Sequence, residues 1–211
     1  MARTRATDYD DKRRAILDRS AELFAEHGYD RASMSKIAEA CGVSKANLYH
    51  YYKDKEELLF DVIRFHLEEL LEVVEAADRP DLAPGPRLTE LVGALLEAYR
   101  DADAQHNVQI NGLRLLPADR QAELREMERE LVRIFSDAVA GVAPQLKGTK
   151  LLKPVTMSLF GMINWHYLWF KNTGEVTRAD YAALVAQLIV DGTRNLQAEH
   201  LGASRQVNAA E

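Results

Sequence analysis

Residues 33–55, SMSKIAEACGVSKANLYHYYKDK, set hydroxyl, amide, imidazole, phenol and ammonium groups at short intervals around four apolar positions, Ile37, Ala38, Val43 and Leu48. The pattern predicts two short helices. Ser33 caps the first, Gly42 ends it, and Ser44 caps a second that runs through Tyr51. The plan is helix-turn-helix. Its chemistry is recognition of a duplex: a short exposed helix enters the major groove of double-stranded DNA, whose edges offer distinguishable donors and acceptors, while flanking hydroxyls and cations fix it to phosphates. The four apolar positions hold the helices at their angle, and the other side chains face outward.

A second group with chemistry in it is Phe160–Phe170, FGMINWHYLWF. Trp165 and Trp169 are four residues apart, with Asn164 and His166 beside them. Two indoles on one helix need partners for their N–H groups when buried. Two readings stand: packing in a subunit interface, or a ligand pocket roofed by this helix and lined by Tyr99, His106, Met127, Phe135, Met162, Trp165, His166 and Trp169.

Other chemistries lack their residues. Glu68, Glu72 and Glu75 share a helical face, but no Glu-x-x-His pairs accompany them, so a solvated face is expected. The six histidines include no pair at i, i+3 or i+4, and the single cysteine, Cys41, excludes a multi-thiolate site and a disulfide framework. No glycine-rich phosphate loop and no Gly-x-Ser-x-Gly elbow occurs. The sequence therefore predicts neither an enzyme nor a metal or cofactor site. The most apolar run, residues 155–170, is too short and too interrupted to span a membrane, and the charged N-terminus is no signal peptide. A cytoplasmic, reducing setting is expected.

Charge is polarised along the chain. The net charge is −6, yet residues 1–60 carry 11 Lys and Arg against 11 Asp and Glu, and residues 31–55 are locally +3. An overall acidic chain is a poor non-specific coat for nucleic acid, and a locally basic segment suits one defined contact. Arg3, Arg5, Lys12, Arg13 and Arg14 read either as an arm that reaches phosphates or as a solvated tail.

The elements that position these groups are helices throughout, with no period-two pattern, so the fold class is all-α with about nine helices. Helix 1 is expected over 10–27, helix 4 over 55–77, and a loop over 79–86, where three prolines and a glycine cluster. Another amphipathic helix carries Leu88 to Tyr99, a shorter irregular segment covers 105–115, and a helix starting near Pro117 runs to Gly141. Helix 8, about 152–171, is apolar on almost all sides, and helix 9, about 177–198, presents Tyr181, Leu184, Val185, Leu188 and Ile189 as one stripe. A helix apolar all round needs cover on all sides, and a second copy of the chain supplies it, so helices 8 and 9 are the expected homodimer contact. The expected division is 1–54 for the DNA-binding domain, 55–78 for a linking helix, and 79–211 for a ligand-binding and dimerisation domain.

Between Ala15 and Leu58 the chain resembles the N-terminal domain of the TetR family of transcriptional repressors. The spacing of Phe24, Gly28, Ile37, Ala38, Gly42, Val43, Ser44, Leu48, Tyr49, Tyr52, Lys55 and Leu58 follows the family pattern without a gap, over about a fifth of the chain. One departure is Asn47, where the family often has threonine; its amide still suits adenine. By the resemblance, Tyr49 and Lys55 are phosphate anchors. Lys45, Asn47 and His50 are base readers, and Ser33, Ser35 and Lys36 position the backbone. Tyr51 falls between contact and core, and Tyr52 reads as core. The stretch NWHYLWFKNTG also resembles the end of the C-terminal domain in members that respond to acyl-CoA thioesters, although the usual arginines near the first Trp are missing. Lys171 and Arg100 are then candidates for a CoA phosphate. The resemblance implies a homodimeric repressor of a palindromic operator, released by a small-molecule effector, either an acyl-CoA or a hydrophobic or aromatic acid. The alternative is a small-molecule-binding protein or enzyme with an incidental helix-turn-helix.

Overall fold

The computed structural model describes residues 2–171 and 173–196, with side chains from Tyr9 onward. Among them the regular structure is helical: α1 (Ala2–His27), α2 (Met34–Ala40), α3 (Lys45–Tyr51), α4 (Lys55–Ala77), α5 (Pro84–Ala98), α6 (Asp103–Gly112), α7 (Ala118–Val142), α8 (Leu152–Asn164) and α9 (Arg178–Thr193). Single 3-10 turns follow at Leu113–Leu115, Pro144–Leu146 and His166–Leu168.

Local chemistry sets most of these ends. Ser33 and Ser44 cap α2 and α3, each accepting from the backbone N–H three residues on. Asp54 accepts from the Glu57 N–H at 2.8 Å while the Glu57 carboxylate takes the Lys53 N–H at 2.9 Å, so the start of α4 is closed in both directions. Pro84 stands in the first turn of α5. Thr177 and Asp180 close a capping box at α9.

Packing groups the described chain into two compact units, residues 2–69 with 101–128, and residues 70–100 with those described from 129 to 196. In the first, Ile16, Leu17, Phe24, Ile37, Leu48, Leu59 and Ile63 share a core with Val108, Leu113, Leu116 and Leu124. In the second, Leu88, Leu91, Val92, Leu95 and Leu96 of α5 face Phe135, Leu159, Phe160, Ile163, Val185 and Ile189. Sequence order alone gives no sign that residues 101–128 join the N-terminal unit.

Several boundaries differ from the sequence expectation. Helix α1 begins at Ala2 rather than near residue 10, and the segment expected to be irregular is the regular helix α6 with a 3-10 turn after it. Helix α8 stops at Asn164 instead of continuing to 171. From Trp165 the residues are Trp, His, Tyr, Leu, Trp and Phe, mostly aromatic side chains that gain little from helical backbone, and the chain tightens into a 3-10 turn. Trp165 and Trp169 therefore do not lie on one helix. Helix α9 ends at Thr193, and residues 197–198 of the expected helix lie outside the described residues. The stripe read on α9 is divided: Tyr181, Val185 and Ile189 are buried in the second unit's core, and Leu184 and Leu188 stay 52% and 53% exposed. An arc that wide cannot all turn inward on one helix.

Candidate nucleic-acid interface

Helix α3 has a single fully buried side chain, Leu48, which joins Ile37, Ala38 and Tyr52 in the first core. Around it Lys45, Asn47, Tyr49 and His50 are exposed. The Lys45 ammonium lies 5.8 Å from the centre of the Tyr49 ring, one helical turn away. Gly42, between α2 and α3, has φ +64, and a side chain there would meet nothing within 4 Å. The demand for glycine is thus conformational, not steric.

On the α2 side, Ser35 is exposed, Ser33 is engaged as the cap, and the Lys36 ammonium donates to the Arg31 carbonyl at 3.4 Å. Cys41 is half-buried, and burial pushes its thiol up, away from thiolate chemistry. Tyr51 is half-buried between two rings: it stacks on Tyr9 with centroids 4.8 Å apart, and His50 meets its edge at 5.9 Å. Tyr52 is buried beside the Arg13–Asp61 pair, whose charges are 2.5 Å apart. Burial and then the Asp61 charge push its phenol far above the usual range.

Lys55 does not point outward. Its ammonium donates to the Tyr29 carbonyl at 2.6 Å and sits 4.1 Å from the centre of the Tyr29 ring. Two members of the basic N-terminal run are tied down as well, Arg13 to Asp61 and Arg14 to Glu69. The side chains of Arg3 and Arg5 lie outside those described. Sequence reading passed over Tyr9, which stacks on a residue 42 positions away; no local pattern signals such a contact.

The candidate effector residues fall into two groups. His106 and Met127 belong to the first unit, where His106 is buried on α6 with its ring 6.1 Å from that of His66 on α4. Tyr99, Phe135, Met162, Trp165, His166 and Trp169 belong to the second. There the Tyr99 hydroxyl donates to Asn164 Oδ1 at 3.1 Å, and Tyr181 donates to the Met162 carbonyl at 2.9 Å. Phe135 meets Phe160 edge-on at 5.1 Å. His166 is buried, stacked on Tyr181 at 5.8 Å and 4.4 Å from Phe170. Its two ring nitrogens have no hydrogen-bond partner among the described residues, and burial, then the charge of Arg178, pushes its pKa down to about 4. Trp165 and Trp169 are both 54% exposed. Arg100 is held by Glu97. Among the described residues no group of His, Cys, Asp and Glu is arranged to hold a metal ion, and no helix is long and apolar enough to cross a membrane.

Comparison with known proteins places the chain in a family. Residues 16–62 match the model for bacterial regulatory proteins of the tetR family, and residues 81–193 match the tetracyclin repressor-like C-terminal domain. The HTH-type transcriptional regulator RutR of Escherichia coli (strain K12) is 37% identical over 90 residues, which are 43% of this chain and 42% of that protein, so the match spans less than half of this curated relative. Over nearly the whole chain, a TetR-family transcriptional regulator from Bordetella parapertussis 12822 superimposes with a TM-score of 0.80 and 36% identity, covering 87% of this chain and 96% of that one. AibR, solved in complex with isovaleryl coenzyme A and operator DNA, gives a TM-score of 0.73 and 27% identity, covering 85% of this chain and 98% of that one. With its helix-turn-helix, its all-helical second unit and both family models matched in order, the chain belongs to the TetR family of ligand-responsive, DNA-binding transcriptional regulators.

Proposed function

We propose that this chain represses transcription as a homodimer that holds a palindromic duplex operator and releases it when a small-molecule effector binds. The observation that carries the reading is the exposure of Lys45, Asn47, Tyr49 and His50 around a buried Leu48 on a helix of two turns. Lys45, Asn47 and His50 read base edges, the Asn47 amide being matched to adenine. Tyr49, Ser33, Ser35 and Lys36 hold the backbone, and Tyr51 supports His50. Lys55 acts through the turn it holds as well as through its charge. The site of action is wherever the operator is, the cytoplasm.

The subunit contact is assigned to α8 and α9. Pro154, Met157 and Gly161 of α8 and Leu184 and Leu188 of α9 are all exposed, and an apolar surface of that kind favours burial against a second copy. Two heads joined in this way meet successive major grooves about 34–36 Å apart, or a multiple of that.

The effector is assigned to the second unit and to the class of hydrophobic or aromatic acids, free or as CoA thioesters; the isovaleryl coenzyme A held by AibR supports that class. Phe135 and Met162 suit an apolar body. His166, neutral and buried with both nitrogens unmet, is able to donate to and accept from a polar end. The effector favours a state with wrongly spaced heads, and the difference in affinity between the two states does the switching.

Selection of bound duplexes from a random pool tests the reading, followed by a screen of acids and thioesters for release. A symmetric motif is expected, and recovery of unrelated sequences would sink the proposal.

A further inference from the structure

The first unit holds a concave feature that DNA recognition does not use. The last turn of α1, the turn 28–31, α6 and the 3-10 turn after it line an open groove of 440 Å³, within the roughly 300–1,000 Å³ of small-molecule sites. Phe24, Leu59 and Val108, buried members of the first core, form its floor, and Asn107 and Asn111 add polar lining beside them. Its rim is basic. Arg31 and Arg114 both line it and both are exposed, and no carboxylate among the described residues accepts a hydrogen bond from either.

Most described arginines that bond to a side chain are paired with a carboxylate. Arg13, Arg64, Arg79, Arg87 and Arg133 each face an Asp or Glu. Arg31 commits only its Nε, to the His27 carbonyl at 2.8 Å, and its two terminal nitrogens remain available. Asp30 is the single carboxylate on the lining and forms no ion pair with Arg31, so Arg31 and Arg114 outnumber it and leave the lining with an excess of positive charge. A cation placed after a helix also complements the negative end of that helix, which accounts for one arginine behind α1 and one behind α6. It does not account for both flanking the same apolar floor.

We propose that this groove binds an amphipathic organic anion, a carboxylate or sulfonate on an apolar body, with the body on Phe24, Leu59 and Val108 and the charge between Arg31 and Arg114. Such a ligand touches the turn 28–31, whose carbonyls the Lys55 and Lys36 ammonium groups hold. It thereby acts on the DNA-binding head without passing through the second unit, and the proposal stands apart from the effector assigned there.

The probe is 8-anilinonaphthalene-1-sulfonate, titrated into the full chain and followed by its fluorescence, with melting curves to show that each variant is folded. A saturable component that responds to the residues of this groove is expected, separate from any that the second unit gives. It should weaken at least tenfold in Arg31→Gln/Arg114→Gln, survive in Arg31→Lys/Arg114→Lys, and vanish in Asn107→Trp, which fills the groove. Absence of a saturable component overturns the proposal, and so does a component that the glutamine pair leaves unchanged. Loss in Asn107→Trp alone shows a groove with no preference for anions and also overturns it.

Discussion

Lys55, the first residue of α4, is bonded to Tyr29, in the turn between α1 and α2, by two contacts at once: its ammonium donates to the Tyr29 carbonyl at 2.6 Å and lies 4.1 Å from the centre of the ring. A charge-assisted hydrogen bond and a cation–π contact on one partner fix the start of α4 to a turn that Gly28, at φ +79, allows to form. A residue suited to a phosphate is thus also a clamp inside the head.

Lys55→Met should therefore do more than remove a charge. Melting should show a loss of about 1.5–3 kcal/mol, the usual range for a hydrogen bond to a charged group, together with weaker binding to operator and random duplex alike. A variant with an unchanged melting temperature and only a salt slope reduced by about one would show a phosphate contact and no clamp.

Asn47→Ala should cost about 1–3 kcal/mol on the best operator and little on random DNA, because a base contact discriminates where a phosphate contact does not. Anisotropy titrations on both duplexes give the two numbers, and equal losses would remove Asn47 from base reading.

Leu188→Glu places a charge on the exposed edge of α9, outside the core that Val185 and Ile189 fill. Light scattering should show monomers with a helical spectrum unchanged. A stable dimer that still binds operator would move the subunit contact elsewhere.

His66 is buried, and burial, then the neighbouring His106, pushes its pKa down to about 3 from the ordinary 6.5. The unfolded chain binds this proton first. Its contribution to stability is whole above pH 6.5 and shrinks as pH falls toward 3, by up to about 1.4 kcal/mol per pH unit. His166, pushed down to about 4, works in the same direction. Denaturant melts between pH 5 and 6.5, where most carboxylates stay ionised, should show the slope, and His66→Gln should reduce it.

The head's recognition elements could be read from residues 33–55 because their determinants are local. Two serine caps, a glycine turn and the buried Ile37, Ala38 and Leu48 decide α2 and α3 within a few residues of each other. The roles of Lys55 and Arg13 were less legible, because each is set by a partner 26 or 48 residues away. Periodicity marked Leu184 and Leu188 as apolar and could not tell which edge of the arc the core would take. His106 and Met127 looked like companions of Phe135 by composition, yet they pack in the other unit; hydrophobicity alone carries no address.

Helices α4 and α7 each give residues to both units, and the first unit takes Val108, Leu113, Leu116 and Leu124 from beyond residue 100. In order of synthesis, the DNA-binding head cannot complete its own core until some 128 residues have emerged, after residues 70–100, the smaller segment of the second unit, and before the larger segment that starts at Arg129. A fragment cut at residue 69 would leave Leu59 and Ile63 without the side chains that cover them, so a head grafted alone onto another protein would be expected to aggregate where the full chain folds.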